Sequence, residues 1–386
     1  MNVHGFPIGR NVRQPGGYAA FVPATFPSQE LLSYSPAIIQ KNAEAARLLG
    51  KLDGITQLLP DVDFFMSMYV RKDAAASSQI EGTRATMVDA AEAAVHTSNA
   101  LPSDVDDILH YIKALKYGMK RLEEFPFSLR FIRELHRELM HGARSSHAAD
   151  PGNFRRSQNW IGGRNPSEAD FVPPAVHDMH AALHDFEKFL HTASPVPPLI
   201  QAALLHAQFE TIHPFLDGNG RTGRMLVTLY LWKEKLLEKP VLYLSAYLKK
   251  YRRVYYERLT DYREGRQEQW IGFFLDGIIE TAESATESVR RITLLRERDM
   301  AAIATLNKTS ASSAMRVLPK LFAQPVVTVD VIRRWAGFRT RAGAQRLIDH
   351  LCAIGILETP DASKKYARTY VYRTYVDIFE KSITAS

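Results

Sequence analysis

The sequence predicts a mainly α-helical protein with one short β-hairpin flap and a C-terminal winged helix-turn-helix domain. Three observations carry that expectation. Apolar residues recur at three- and four-residue spacing through most of 37–140 and 175–298, with proline or glycine between the periodic segments. Residues 150–174 abandon the helical period for turn residues and two short apolar stretches. Beyond residue 307 short helical and extended segments alternate, and the chain turns basic.

In chain order, residues 1 to about 35 are punctuated by proline and glycine and read as an extended arm laid on the body. Helices are expected over 37–57, 63–80, 87–97, 103–124 and 128–140. Asp150-Pro151-Gly152 forms a turn. Asn159-Trp160-Ile161-Gly162-Gly163 and Asp170-Phe171-Val172-Pro173-Pro174 then read as the two sides of a flap. Helices resume over 175–191, 199–211, about 221–235, 245–263 and 270–298, and the small polar residues 307–313 read as a linker. In the tail, 314–323 is helical, Val326-Val327 is extended, and Thr328 caps a second helix reaching Trp335. Gly337-Phe338 turns, and a third helix runs from about Arg341 to Ile354, where Gly355 stops it. Leu357-Glu358, a polar tip at 360–365 and residues 370–373 complete a hairpin, which gives the outline of a winged helix.

Composition narrows the class. The 386 residues are 46% hydrophobic and 24% charged, ordinary for a soluble globular chain. One cysteine, Cys352, excludes an internal disulfide and a cysteine-based zinc site and fits a reducing compartment. No apolar stretch approaches the ~18 residues of a membrane span, and no signal-peptide core is present, so a cytoplasmic location is expected. The net charge of +7 is concentrated: 311–386 holds twelve Lys/Arg against six Asp/Glu. A basic partner surface therefore belongs to the tail, whose third helix carries Arg339, Arg341, Gln345 and Arg346, with Lys364, Lys365 and Arg368 on the wing. Such a domain docks either DNA or protein.

The chemistry concentrates in His213-Pro214-Phe215-Leu216-Asp217-Gly218-Asn219-Gly220-Arg221-Thr222-Gly223-Arg224. Gly218, Asn219 and Gly220 precede a helix, and glycine permits the turn that aims backbone N–H groups at an anion. Arg221 and Arg224, three apart, share a face and add two guanidinium forks for phosphate oxygens. Asp217 at the mouth of a polyphosphate site suits Mg2+. His213 is the one group in the stretch that exchanges a proton near neutral pH. Each element alone is more often a loop or turn; together they point to transfer from a nucleoside triphosphate, with His213 deprotonating an acceptor. The stretch is not a Walker loop, which needs Gly-Lys-Ser/Thr, nor an EF-hand, which needs alternating acids.

At every fixed position these twelve residues match the Fic-family signature, His-x-Phe-x-Asp/Glu-Gly-Asn-Gly-Arg-x-x-Arg. His206-x-x-Phe209-Glu210-x-Ile212, Pro151-Gly152-Asn153-Phe154-Arg155, Asn159–Gly163 and 171–174 also resemble that family, over about residues 30 to 300. The resemblance implies an all-helical Fic core at 106–300 that transfers AMP from ATP to a Ser, Thr or Tyr hydroxyl of a target protein, or of itself, and releases pyrophosphate. It implies His213 as general base and Asp217 as Mg2+ ligand. Gly218, Asn219 and Gly220 become the anion hole, Arg221 and Arg224 hold the β- and γ-phosphates, and Thr222 and Gly223 complete the nucleotide loop. Ile161, Gly162 and Gly163, with Trp160, become a flap over the nucleotide that aligns the target by strand addition, since Gly-Gly needs open space rather than core. Tyr255, with Tyr256 beside it, resembles the family's adenine-pocket tyrosine, and Tyr251 and Tyr247 compete for that place. His206 reads as a core histidine, and the helically spaced clusters His136/His141 and His177/His180/His184 lack the carboxylate pattern of a metal site.

Ser77-Ser78-Gln79-Ile80-Glu81-Gly82 is the second informative stretch. Gly82 stops the 63–80 helix and leaves Glu81 at the negative end of its dipole, where a carboxylate needs a cation. Ser77, Glu81 and Gly82 fit the family's inhibitory pattern, Ser/Thr-x-x-x-Glu-Gly/Asn. That implies that Glu81 pairs with Arg224, takes the γ-phosphate's place, and makes 1–105 the arm and helical region that restrains the core. Two alternatives stay open: the same pocket removes AMP by hydrolysis, or the chain is a DNA-binding regulator acting through 311–386. Self-modification and a homodimer are further expectations.

Overall fold

Two proline- and glycine-punctuated segments at the N-terminus pair into a hairpin rather than an extended arm. Strand β1 (Gly9–Arg13) runs antiparallel to β2 (Ala19–Pro23), with Gly9 opposite Pro23 and Arg13 opposite Ala19. The turn closes because Gly17 adopts φ +85° and its N–H reaches the Gln14 carbonyl at 3.0 Å. This computed structural model describes residues 8–27, 33–57, 59, 62–95, 104–142, 150–192, 195–359 and 368–381. The chain divides into two units, 1–50 with 110–281 and 51–109 with 282–386.

The predicted helices are present with shifted ends. They are α1 (Pro36–Thr56), α2 (Val62–Ile80), α3 (Met87–Ala93), α4 (Val105–Glu124), α5 (Leu129–Met140), α6 (Val176–His191) and α7 (Pro198–Ile212). Caps set several starts. Ser128 accepts the Phe131 N–H ahead of α5, and Thr86 forms a reciprocal capping box with Asp89 ahead of α3. After α7 come α8 (Asn219–Lys233), α9 (Ser245–Lys250), α10 (Arg252–Arg263) and α11 (Gln267–Ala304). The single helix expected over 245–263 is broken at Tyr251, whose ψ of 34° leaves the helical range. Helix α11 runs well beyond the predicted 270–298.

In the first unit α7 is the central element. Leu199 and Ile200 and then every residue from Ala202 to Ile212 are buried, so the helix is enclosed on all sides, as one this apolar must be. Trp270, fully buried on α11, donates its indole N–H to the Ala203 carbonyl at 2.8 Å. Strand β2 braces the 150–174 segment: the Phe21 N–H meets the Val172 carbonyl at 2.9 Å, and the Phe21 and Phe171 rings lie 5.8 Å apart.

In the second unit the expected linker at 307–313 is helix. Asn307 caps α12 (Lys308–Ala323) by accepting the Ser310 N–H at 3.0 Å, and Ser313 and Ala314 are buried. A strong cap and small residues that fit a close approach outweigh the polarity that suggested a linker. Then follow β3 (Val326–Thr328), α13 (Val329–Ala336), capped by Thr328 and closed by Gly337 at φ +74°, α14 (Arg341–Ala353), capped by Thr340, and β4 (Thr369–Val371). Strands β3 and β4 pair antiparallel, and Glu358 pairs with Val371 through both backbone bonds, at 2.9 and 2.8 Å. The wing tip, with Lys364 and Lys365, lies outside the described residues. A last helix, α15 (Arg373–Lys381), extends the fold beyond the expected hairpin; it buries Tyr375 and Phe379. The Tyr375 ring meets Phe322 edge-on at 4.9 Å, and Arg71 of α2 donates to the Ala323 carbonyl at 2.9 Å.

Candidate active site

The loop between α7 and α8 is held by side chains bonding to its backbone. His213, the C-cap of α7, sits in the left-handed region at φ 48°, ψ 60°, a conformation that costs a non-glycine residue about 1 kcal/mol or more. Its carbonyl accepts from Arg155 Nε at 3.0 Å and from Asn159 Nδ2 at 3.1 Å. Phe215 is fully buried, and Asn219 closes on it twice: Oδ1 accepts the Phe215 N–H and Nδ2 donates to the Phe215 carbonyl, both at 2.8 Å. Asn159 Nδ2 gives that carbonyl a second donor at 2.9 Å. Both polar atoms of the Asn219 side chain are therefore engaged within the loop.

His136 supports the loop from below. Its ring stacks on Phe215 with centroids 3.7 Å apart and planes 3° apart. Nδ1 accepts the Gly152 N–H at 2.9 Å, so the proton sits on Nε2, which donates to the Asp217 carbonyl at 2.9 Å. Burial holds its pKa down at about 4, so the ring is neutral. Helical spacing pairs His136 with His141; the structure instead gives His136 this two-ended bridge and puts His141 at the C-cap of α5.

Gly218 opens α8 at φ +78°, and a Cβ there would lie 2.7 Å from Met140 Sδ. The first N–H groups of α8 have no carbonyl one turn back, so the glycine turn presents them outward. Asp217 keeps its carboxylate half-exposed beside them. Its Oδ1 accepts the Gly218 N–H at 2.6 Å and lies 3.9 Å from the Arg221 guanidinium. One exposed carboxylate at the edge of an anion-binding turn fits a cation completed by phosphate oxygens and water, not an all-protein cage. Among the described residues no three His, Cys, Asp or Glu side chains gather to hold a metal.

Arg221 and Arg224 are both largely buried on α8, and Arg221 Nη2 lies 3.6 Å from Met140 Sδ. Burial first, and the Arg224 charge second, push His206 down to about 3. Thr222 and Gly223 face the core rather than the loop mouth. A Cβ on Gly223 would lie 2.6 Å from Glu210 Oε1 and 3.0 Å from the Phe209 ring, so this glycine sets the approach of α8 to α7. On α7, one turn before His213, the Glu210 carboxylate lies 3.8 Å from His213 Nδ1.

The flap is a minimal hairpin in which Ile161 and Phe171 exchange both backbone bonds, at 2.9 and 3.2 Å. Trp160 is 40% exposed. The reason for its two glycines differs from the one expected. Both have positive φ, 72° and 65°, and a Cβ would strike the Asp170 carboxylate at Gly162 and the Glu168 carbonyl at Gly163. Turn geometry, not open space, demands glycine here. Arg263 lays its guanidinium 3.7 Å from the centre of the Phe171 ring and anchors the flap's second side.

Tyr255 is placed otherwise than an open adenine pocket requires. It is 1% exposed, and its hydroxyl bonds His206 Nε2 at 2.9 Å while the His206 ring stacks on Trp270, so its polar end is already satisfied inside the core. Tyr256 beside it is exposed. In the second unit Ser77 is fully buried on α2. Glu81 is exposed just past its end, where Gly82 at φ +100° makes the left-handed turn, and the Glu81 N–H bonds the Ser78 carbonyl at 3.0 Å.

Residues 126–231 match the Fic/DOC family, and residues 39–120 match the Fic/DOC family N-terminal region. The chain is 32% identical over 177 residues to the Protein adenylyltransferase Fic of Drosophila yakuba, a match covering 44% of this chain and 32% of the relative. It is 34% identical over 134 residues to the protein of the same name from Drosophila melanogaster, covering 33% of this chain and 25% of the relative. The chain thus spans about a third or less of the length of the curated relatives it matches. A Fic family protein from Desulfovibrio desulfuricans G20 superposes with TM-score 0.57 at 18% identity, covering 89% of this chain and 98% of that one. Fic-1 from C. elegans superposes with TM-score 0.51 at 19% identity, over 67% and 75%. At such identities the likeness shows the fold. Among the described residues no helix is long and apolar enough to cross a membrane.

Proposed function

We propose that this chain, whose residues 126–231 are a Fic/DOC domain, is a protein adenylyltransferase that moves AMP from ATP to a side-chain hydroxyl of a protein. The observation that supports this best is the shared loop. His213 ends α7, the N–H groups of the α8 N-terminus follow six residues later, and Asn219 ties the two together through the Phe215 backbone. A base and an anion cradle are thereby held in one fixed relation.

In this reading His213 takes the proton of the acceptor hydroxyl as its oxygen attacks the α-phosphorus. The bond from that phosphorus to the bridging oxygen breaks, and pyrophosphate leaves. The backbone N–H groups of Asn219 and Gly220 receive the charge that builds on the α-phosphate, while Arg221 and Arg224 hold the phosphates that depart. Asp217 would hold Mg2+, which would neutralise phosphate charge. The outer edge of the flap at 160–163 positions the target's backbone. Glu81, on the Ser77-Glu81-Gly82 pattern, restrains the activity. Residues 311–386 are a docking module for the target. Asp330 already engages Arg341 at 3.0 Å and Arg333 at 3.6 Å, which lowers the charge left for nucleic-acid phosphates.

The test is transfer of label from α-labelled ATP in purified full-length protein. Glu81→Gly should raise incorporation into protein tenfold or more with unchanged folding, and His213→Ala in that background should abolish it while ATP still binds. An unchanged Glu81→Gly rate would remove the restraint, and an active His213→Ala would remove the mechanism. Metal-dependent release of AMP from modified protein, with no net transfer, would favour hydrolysis at the same residues.

A further inference from the structure

Arg155 is a buried cation with an unusual set of partners. Its side chain is 1% exposed, and among the described residues no carboxylate lies within ion-pair distance of it. The guanidinium instead donates to four main-chain carbonyls: His213 at 3.0 Å, Ser157 at 3.2 Å, Pro174 at 2.5 Å and Ile212 at 3.5 Å. A buried charge is tolerated only when its donors are satisfied, so these bonds fix where the group sits. Two of the carbonyls close α7, whose C-terminal end favours a cation.

The four carbonyls come from three places that the sequence keeps apart. Ser157 leads into the flap, Pro174 leaves it, and Ile212 and His213 end the helix that presents the base. Neighbouring side chains repeat the pattern. Asn159 reaches the His213 and Phe215 carbonyls, and Gln158 Nε2 crosses the flap base to the Pro173 carbonyl at 2.9 Å. The Arg155 backbone N–H adds a bond to the Pro214 carbonyl at 2.9 Å. A planar fork spanning both ends of the flap and the left-handed His213 ties their geometries together, which a single ammonium cannot do.

We propose that Arg155 is a positioning residue that makes the flap and the His213 backbone one mechanical unit, so that docking of a polypeptide on the flap sets the imidazole. The coupling itself is a property of the fold; its use in AMP transfer rests on the function proposed above.

Hydrogen exchange of the full-length chain tests it at three amides: Ile161 and Phe171, which bond each other across the flap, and His213, which bonds the Phe209 carbonyl. In Arg155→Lys all three should exchange at least tenfold faster and by a common factor, with α6 unchanged. In Arg155→Ala, millimolar guanidinium should restore protection at all three, and methylammonium should not. Should those variants fail to fold, Asn159→Ala removes a lesser link and should move the same amides in the same direction. Loosening of the flap without His213, of His213 without the flap, or of neither, overturns the coupling. In the Glu81→Gly background Arg155→Lys should lower self-labelling by ATP at least tenfold at unchanged ATP affinity. A Glu81→Gly parent that transfers no AMP sinks the proposed function and leaves the exchange result standing. A labelling parent with an equally active Arg155→Lys sinks the positioning role.

Discussion

Replacing Asn219 by alanine should destabilise the protein more than the same change at Asn159, although each removes two hydrogen bonds to the same loop. Asn159→Ala takes a donor from the His213 and Phe215 carbonyls, but the first keeps Arg155 Nε at 3.0 Å and the second keeps Asn219 Nδ2 at 2.8 Å. Nothing is left unpaired, and the cost is that of two ordinary bonds, about 1–2 kcal/mol. Asn219→Ala also spares the Phe215 carbonyl, through Asn159, but it leaves the Phe215 N–H buried with no acceptor. Such an orphan costs about 1–3 kcal/mol beyond the roughly 1 kcal/mol of the second bond, so a loss of about 2–4 kcal/mol is expected. Equilibrium urea unfolding of both variants, with the slope m checked against the parent, reads the difference. Equal losses, or a loss below about 1 kcal/mol for Asn219→Ala, would show that the loop does not depend on that N–H and refute the reasoning.

Three other outcomes are expected. Gly223→Ala places a methyl against Glu210 Oε1 and the Phe209 ring, both buried, and should cost about 1–3 kcal/mol in the same unfolding experiment; a neutral substitution would mean that α7 and α8 separate freely. Burial holds His136 at about 4 and His206 at about 3, so by NMR neither ring should titrate between pH 7.5 and 5. The unfolded chain takes up those protons near pH 6.5, so stability should fall as pH drops from about 6.5 toward 4, by about 3 kcal/mol for His136 alone. A flat stability profile across that window would contradict the buried neutral state.

The site was legible where its chemistry is local. Asp217, Gly218 and Arg221 lie within four residues and announce an anion-binding helix start without reference to the rest of the chain. The supports were not legible because their partners are distant in sequence: Arg155 meets His213 across 58 residues, and His136 meets Asp217 across 81. A histidine on a helix gives no sign that it will bridge two backbone groups elsewhere. Tyr255 shows the same limit, since nothing beside it in the chain signals that its hydroxyl bonds His206, 49 residues away. In the fold, amphipathic periodicity found the long helices. It missed α15, short and set among aromatics, and the β1–β2 hairpin, whose prolines and glycines resemble those of an arm. The 307–313 segment failed on one residue: Asn307 reads equally as linker or as cap, and its bond to the Ser310 N–H decides.

The exposure of Trp160 has an optical consequence. Of the four tryptophans, Trp270 is fully buried and Trp232 and Trp335 are half-buried, which leaves the flap residue as the one that solvent reaches most freely. A soluble quencher should dim that indole first, and its emission should lie to the red of the others. Polypeptide laid against the flap would shield it and shift the emission to the blue. The protein thus carries its own fluorescent reporter at the place where a target is proposed to arrive, and docking can be followed in real time without an attached dye.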